Sequence, residues 1–188
     1  MKIYLVLIIF INTLFASENT LIVYLTRTEN TKQVAYLIKD ITKGDIAQIK
    51  TVQTYPEDYK KMVAQANFER ENNIKPLLEK LEVDVSNYDN IFIGFPIWGM
   101  DLPSPIKSFL AEYDLSNKTI IPFATHGGYG VGKSFETLVK LLPKSSKVKS
   151  GFSIRGGLER DGKILMIKDE KETKARAEVH KWLKSIGY

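Results

Sequence analysis

The segment that most restricts how this chain folds is residues 20–31, where an apolar run ends abruptly in a short polar loop. A helical pattern begins directly after the loop, with apolar residues at i, i+3, i+4 and i+7: Val34, Leu37, Ile38 and Ile41. The order strand, loop, helix directs the first free N–H groups of the helix at the loop. A helix start is a ready anion site, usually for phosphate. An ordinary turn with a threonine or asparagine cap is the alternative.

The loop itself supplies polar side chains that suit a phosphate. Its residues 26–31 read Thr-Arg-Thr-Glu-Asn-Thr, which resembles the flavodoxin phosphate loop Ser/Thr-x-Thr-Gly-Asn-Thr. The resemblance implies phosphate-binding roles for five residues: Thr26, Arg27, Thr28, Asn30 and Thr31. One position departs, because Glu29 stands where the family usually has glycine. A hydrated carboxylate 4 Å from a phosphate would cost about 1 kcal/mol per charge pair, unless Glu29 points outward or Arg27 offsets it.

The first 16 residues do not belong to the predicted fold. Lys2 precedes an apolar stretch over residues 3–11, and the small residue Ala16 follows shortly after. This pattern is typical of a secretory signal peptide, and the stretch is short for a transmembrane helix. We therefore expect cleavage after Ala16, a single domain over residues 17–188, a periplasmic location and no stable membrane insertion after cleavage. A retained membrane anchor or an extra N-terminal strand is the alternative.

Length, cysteine content and charge exclude or disfavour several classes of fold and function. Removing 16 of the 188 residues leaves 172, which suits one domain with a sizeable core. The cysteine count of 0 excludes disulfides, thiolate metal sites and cysteine nucleophiles. The net charge of +5 is scattered along the chain rather than grouped in blocks, so nucleic acid is not an expected partner.

Beyond the first helix, strand and helix patterns alternate. Strands are predicted near residues 46–52, 90–96, 119–123 and 148–154, and helices over 105–113, from Lys133 onward and at the C terminus. The charged stretch 55–80 is long enough for an extra helix. We predict an α/β three-layer sandwich of the flavodoxin-like kind, with a five-stranded parallel sheet in the order 2-1-3-4-5. Ligands then bind at the carboxyl ends of the strands beside the switch point between strands one and three.

The loop after strand three, residues 96–102, has the composition of a ligand loop. Trp98 offers a large flat surface that suits stacking on an aromatic ring, and Gly99 lets the backbone approach a ligand. The segment Gly-Phe-Pro-Ile-Trp-Gly is similar to the second loop of short flavodoxin-like proteins. The resemblance implies flavin contacts from Pro96, Ile97, Trp98 and Gly99. Packing of Trp98 on a neighbouring helix is the alternative.

The loop after strand four, residues 125–132, is unusually rich in glycine. Such a loop allows backbone N–H groups to line the edge of a ring. The predicted contacts are Thr125, His126, Gly127, Gly128, Tyr129 and Gly130, with Tyr129 flanking the ring. His126 is either a polar turn residue or a donor near the flavin. The only other histidine, His180, is distant in sequence, so no histidine metal site is predicted.

The same loop also satisfies a nucleotide-binding pattern. Residues 127–134, Gly-Gly-Tyr-Gly-Val-Gly-Lys-Ser, match G-x-x-x-x-G-K-S after a strand and before a helix. In that interpretation Lys133 would contact phosphates and Ser134 a magnesium ion. The pattern normally follows the first strand, and the flavodoxin interpretation accounts for three loops rather than one. A P-loop nucleotide-binding protein therefore stays a remote alternative.

The flavodoxin resemblance extends over residues 21–186 and implies noncovalent FMN as cofactor. No catalytic acid, base or nucleophile is predicted, which favours an electron carrier. An FMN-dependent NAD(P)H or quinone oxidoreductase is the alternative enzyme, and a module that has lost FMN is a third class. The expected partner is a redox protein or a small-molecule electron donor or acceptor.

Overall fold

The computed structural model describes residues 19–188, and these residues form a parallel sheet flanked by helices. The strands are β1 (Thr20–Tyr24), β2 (Asp45–Gln48), β3 (Asn90–Pro96), β4 (Thr119–His126), β5 (Lys147–Val148) and β6 (Phe152–Arg155). The order is β2-β1-β3-β4-β5, all pairs are parallel, and β6 also pairs with β4. The predicted α/β fold and its strand order are thus confirmed. The predicted signal peptide, residues 1–16, lies outside the described residues.

The predicted fifth strand is interrupted in the middle. Ile120 pairs with Val148, whereas Phe123 pairs with Phe152, so the register shifts by one residue between β5 and β6. The N–H of Lys149 still donates to the Ile120 carbonyl at a distance of 3.0 Å, which is typical of a hydrogen bond between strands. The next ladder bond would need an N–H at position 122, and Pro122 has none. The single strand expected over residues 148–154 is therefore two short strands separated by a bulge.

Within residues 19–188, five α-helices cover the two faces of the sheet. They are α1 (Asn30–Thr42), α2 (Tyr59–Glu71), α3 (Ser104–Glu112), α4 (Ser134–Leu141) and α5 (Asp169–Ser185). Alternate residues of the central strands point to opposite faces, as the two-residue period requires. Ile22, Phe92 and Ile121 pack with α1 and α5, and Leu21, Ile91 and Ile93 pack with α3 and α4. α2 is the extra helix expected within residues 55–80.

The helix faces agree with the predicted spacing except at one position. Ala175, Val179, Trp182 and Leu183 of α5 are all buried, as are Val34, Leu37 and Ile38 of α1. Across α4 and the residue after it, the same spacing, i, i+3, i+4 and i+7, predicts one buried face from Phe135, Leu138, Val139 and Leu142. Leu138 is buried, but Val139 is 49% exposed, so its predicted burial was wrong. Adjacent residues are about 100° apart around a helix, and Leu138 already occupies the direction of the sheet.

No helix within residues 19–188 combines the length and the apolar character that crossing a membrane would require.

The side chain of Asn30 ties the first loop to the segment that precedes α5. Its Nδ2 donates to the hydroxyl of Thr28 (2.9 Å) and to the carbonyl of Ile164 (2.7 Å). Its Oδ1 accepts from the N–H groups of Met166 (2.9 Å) and Ile167 (3.0 Å). Asn30 is only 1% exposed, so these bonds are shielded from water. The residue that opens α1 thereby holds two segments together that lie more than 130 positions apart in sequence.

We expect Asn30→Ala to lower the free energy of unfolding by roughly 3 kcal/mol, because the Ile164 carbonyl and the N–H groups of Met166 and Ile167 lose their partner. Urea denaturation followed by circular dichroism measures this change. Asn67→Ala, in α2 and partly exposed, is the matched control and should change stability little. Equal effects of the two substitutions would contradict the role assigned to Asn30.

Candidate functional site

The three predicted loops meet at one pocket at the carboxyl ends of β1, β3 and β4. The pocket encloses a cavity of ≈ 150 Å³. Most of the predicted site residues line it: Arg27, Thr28, Asn30, Pro96, Ile97, Trp98, Gly99, Thr125, His126 and Gly127. The pocket therefore lies at the edge of the sheet where the switch-point rule predicts ligand binding.

The other five predicted residues do not line the pocket. Thr26 is next to it in sequence, and its hydroxyl is buried. The hydroxyl of Thr31 is hydrogen-bonded to that of Thr125 at 2.8 Å, which joins α1 to the end of β4. Gly128 and Gly130 lie in the glycine-rich loop. Tyr129 is 64% exposed, and its hydroxyl accepts a hydrogen bond from Arg160 at 3.2 Å.

The first loop carries two signs of an anion site. The hydroxyl oxygen of Thr26 is buried and has no hydrogen-bond partner among residues 19–188, although buried polar atoms usually have one. The N terminus of α1 has no side-chain cap, so its first N–H groups and the positive end of its dipole face the loop. The donors present therefore fit a phosphate group.

Glu29 has a backbone conformation that explains the glycine of the resembling motif. Its φ of 63° lies in the left-handed region, which costs an L-residue about 1–2 kcal/mol and costs glycine nothing comparable. Its carboxylate pairs with Lys32, with 2.7 Å between Oε2 and Nζ. The charge that offsets Glu29 thus comes from Lys32, whereas Arg27, one of the two alternatives, pairs with Glu159.

Arg27 instead fastens two walls of the pocket. Its Nε and Nη2 donate to the two carboxylate oxygens of Glu159, each at 2.7 Å. Nη1 and Nη2 also donate to the carbonyls of Pro56 (3.0 Å) and Glu57 (2.9 Å). Bidentate pairs of this kind have a fixed geometry. Arg27 therefore holds the segment before α2 and the loop after β6 against the first loop.

Two walls of the pocket were not predicted from the sequence. One wall is α2, through Tyr59, Met62, Val63, Ala66 and Asn67, and the other is the loop after β6, through Gly156, Gly157, Leu158 and Glu159. Met62, Val63 and Ala66 have the spacing of an apolar helix face, which was a usable signal. The loop after β6 follows a parallel strand at the same edge of the sheet, so the rule applied to the other loops also pointed to it.

Trp98 is held by a tight turn and by an aromatic neighbour. Gly99 and Met100 both have positive φ, at 56° and 60°, and the N–H of Asp101 donates to the Trp98 carbonyl at 3.1 Å. A side chain at position 99 would also collide with the guanidinium of Arg70. The ring of Tyr55 meets the indole edge to face, with 5.0 Å between centroids. Trp98 therefore lines the pocket and packs on its neighbours at the same time.

His126 provides a neutral ring to the pocket. Burial, and secondarily the charge of Arg155, lower the pKa of His126 below its ordinary value. Its Nδ1 accepts a hydrogen bond from the N–H of Gly128 at 3.1 Å, which assigns the ring proton to Nε2. His126 is therefore a turn residue whose Nε2–H is also a candidate donor.

The pattern at residues 127–134 does not form a phosphate cradle. The N–H of Lys133 donates to the Met100 carbonyl at 2.9 Å, and the N–H of Ser134 donates to the Val131 carbonyl at 3.1 Å. The Ser134 hydroxyl donates to the same carbonyl, and the residue is fully buried. Because these groups are already used, the P-loop interpretation has no structural support.

Comparison with known proteins agrees with this geometry. The family model for flavodoxin matches residues 19–183. The chain belongs to the flavodoxin family. No curated protein is recognisably similar in sequence.

Three solved structures are similar to this flavodoxin-family chain. A protein from Bacteroides uniformis, classed as a flavoprotein, has 26% identity and a TM-score of 0.70, covering 88% of this chain and 97% of its own. One from Bacteroides eggerthii has 24% identity, a TM-score of 0.70 and coverages of 90% and 98%. A flavoprotein from Lactobacillus acidophilus, solved in complex with FMN, has 25% identity, a TM-score of 0.64 and coverages of 78% and 98%.

We expect Glu29→Gly to raise the free energy of unfolding by about 0.5–1 kcal/mol, because glycine removes the left-handed strain at the start of α1. Thermal and urea denaturation measure the change. Glu136→Gly, inside α4, is the matched control and should lower stability by about 1 kcal/mol. A loss of stability in both variants would show that the conformation of Glu29 carries no strain.

Proposed function

We propose that this protein binds FMN noncovalently and serves as an electron carrier. The observation that carries the proposal is the meeting of three loops at one pocket. Where α1 begins, the buried hydroxyl of Thr26 has no partner within the described part of the chain. Family membership and the FMN complex of the Lactobacillus acidophilus flavoprotein support the same cofactor.

The phosphate of FMN would bind at the first loop. Thr28 Oγ1 accepts a hydrogen bond from Asn30, so its own hydrogen is free to donate to a phosphate oxygen. Thr26 supplies a second hydroxyl, and the uncapped start of α1 supplies backbone N–H groups. The carboxylates of Glu29 and Glu159 are each paired with a cation, which reduces their repulsion of the phosphate.

The flavin ring would lie between the other two loops and α2. Trp98 offers a stacking surface, and Met62, Val63 and Ala66 offer an apolar wall that excludes water. His126 Nε2–H and the backbone of Gly127 are candidate donors to the polar edge of the ring. When bound, FMN supplies reversible transfer of one or two electrons, and the chain positions and tunes it.

Two titratable groups that line the pocket, Glu159 and His126, favour a carrier over an enzyme. Glu159 is tied to Arg27 on both of its oxygens, and His126 is neutral and contacts a backbone N–H. Neither group has the arrangement of a general acid and base acting as a pair. The electron partner would be a redox protein or a small-molecule donor or acceptor. An FMN-dependent oxidoreductase would instead show repeated turnover with NAD(P)H and a quinone.

We expect purified protein to bind FMN in a 1:1 ratio, seen as flavin absorbance in the visible range or as saturable titration of the apoprotein. Lys133→Ala should not change the FMN affinity, because Lys133 lies outside the pocket. Absence of FMN binding, together with magnesium-dependent ATP binding that Lys133→Ala abolishes, would overturn the proposal in favour of a P-loop function.

Two substitutions should separate stacking from phosphate binding. Trp98→Ala should weaken FMN and riboflavin alike by about 1–3 kcal/mol, or about tenfold to a hundredfold in affinity. Thr28→Ala should weaken FMN about tenfold and leave riboflavin almost unchanged, because a charge-assisted hydrogen bond to phosphate is lost. Fluorescence titration of both ligands gives the comparison.

Thr173→Ala, on the exposed part of α5, is the matched control for Thr28 and should affect neither ligand. If Trp98→Ala leaves both ligands unchanged, Trp98 is only a packing residue. If Thr28→Ala weakens riboflavin as much as FMN, the phosphate does not bind at the first loop.

We also propose that the protein is exported, on the basis of Lys2 and the apolar residues 3–11 that precede Ala16. N-terminal sequencing of the native protein should find Ser17 as the first residue, in the periplasmic fraction. An intact Met1 in a cytosolic fraction would contradict export and would leave the FMN proposal unaffected.

A further inference from the structure

A buried carboxylate lies behind the pocket and takes no part in lining it. Glu69 of α2 is 5% exposed, and a carboxylate in such a place is costly unless its oxygens are hydrogen-bonded. Both oxygens have neutral donors: the hydroxyl of Tyr55 donates to Oε2 at 2.5 Å, and Nε2 of Gln65 donates to Oε1 at 2.9 Å. Glu69 thus fixes the position of Tyr55 at its hydroxyl end.

Tyr55 has a second contact on its ring. Its centroid lies 5.0 Å from that of Trp98, and the two planes are inclined by 68°, an edge-to-face geometry that aromatic pairs prefer. Burial, then the hydrogen bond to Glu69, raise the pKa of Tyr55 far above its ordinary value. The phenol therefore keeps its proton and remains a donor to Glu69.

The orientation of Trp98 depends on packing. The turn through Gly99 and Met100 sets the Trp98 backbone, but within residues 19–188 its indole N–H has no hydrogen bond, unlike that of Trp182, which donates to the Ser150 carbonyl at 2.9 Å. The side chain is only partly buried. Tyr55 is therefore the contact with defined geometry that can hold the indole plane.

We propose that Glu69 and Tyr55 are positioning residues that set the plane of Trp98 for stacking on the flavin ring. The carboxylate of Glu69 holds the hydroxyl of Tyr55, and the ring of Tyr55 in turn holds the indole of Trp98. The proposal rests on the FMN function proposed above. It assigns a role at that site to two residues that do not line the pocket.

The decisive experiment is a double-mutant cycle with Tyr55→Phe and Trp98→Ala, read out as FMN and riboflavin affinity. Tyr55→Phe keeps the ring and removes the bond to Glu69, so both ligands should weaken about threefold to tenfold. In the Trp98→Ala background the same substitution should have no further effect, because its target is gone. An equal effect in both backgrounds would overturn the proposal and leave Tyr55 with a general structural role.

Two further variants keep the test clear. Glu69→Gln retains an oxygen that accepts from Tyr55 and should bind both ligands nearly as well as the original protein, whereas Glu69→Leu should repeat the loss seen with Tyr55→Phe. If Tyr55→Phe does not fold, Glu69→Leu takes its place in the cycle. Tyr36→Phe, on the exposed side of α1, is the matched control and should change neither affinity.

A measurement without flavin separates this proposal from the proposed function. In the apoprotein, Tyr55→Phe should change the near-ultraviolet circular dichroism in the bands that Trp98→Ala removes. Unaltered bands would overturn the positioning role even if FMN binds. If the original protein binds no FMN but its bands change as expected, the proposed function fails while the contact between Tyr55 and Trp98 still orients the indole.

Discussion

The hydrogen-bonded amide of Asn30 is the interaction on which the candidate site depends. It is the first residue of α1, and its side chain joins the loop after β1 to the segment before α5. Because donor and acceptor are both satisfied away from water, the arrangement is costly to disturb. This bond set orients Thr28 beside the start of α1 and keeps the loop after β6 at the same edge of the sheet. The Asn30 amide thus positions the loops that form the site.

The charged side chains of the first loop form ion pairs. The first loop contributes Arg27 and Glu29, and each finds its partner elsewhere: Glu159 for Arg27 and Lys32 for Glu29. The pair between Arg27 and Glu159 also draws the loop after β6 toward the segment before α2, which places two walls around the pocket. Behind Trp98, the carboxylate of Glu69 likewise accepts hydrogen bonds from Tyr55 and Gln65. In each case the acidic side chain is ion-paired with, or hydrogen-bonded to, a neighbouring side chain.

Much of the fold could be predicted because its signals are local. The run of apolar residues in β3 and the spacing in α1 and α5 depend only on nearby residues, and the strand order follows from rules of connection. The break between β5 and β6 was missed, although Pro122 carried the signal in the strand beside it. Val139 was misplaced because helical spacing alone does not tell how wide a contact the sheet offers to a short helix.

The sequence by itself determined the α/β class, the strand order, the three loops at one edge and the resemblance to flavodoxins, because a strand, a loop and a helix start occupy consecutive residues. Only the tertiary structure decided that α2 and residues 156–159 complete the pocket, that Arg27 binds Glu159, and that Asn30 is used within the protein. The bonds of Arg27 to Glu159 and of Asn30 to residues 164–167 join positions between 132 and 137 apart in sequence. Their partners are selected by the packing of whole elements, which no local pattern encodes.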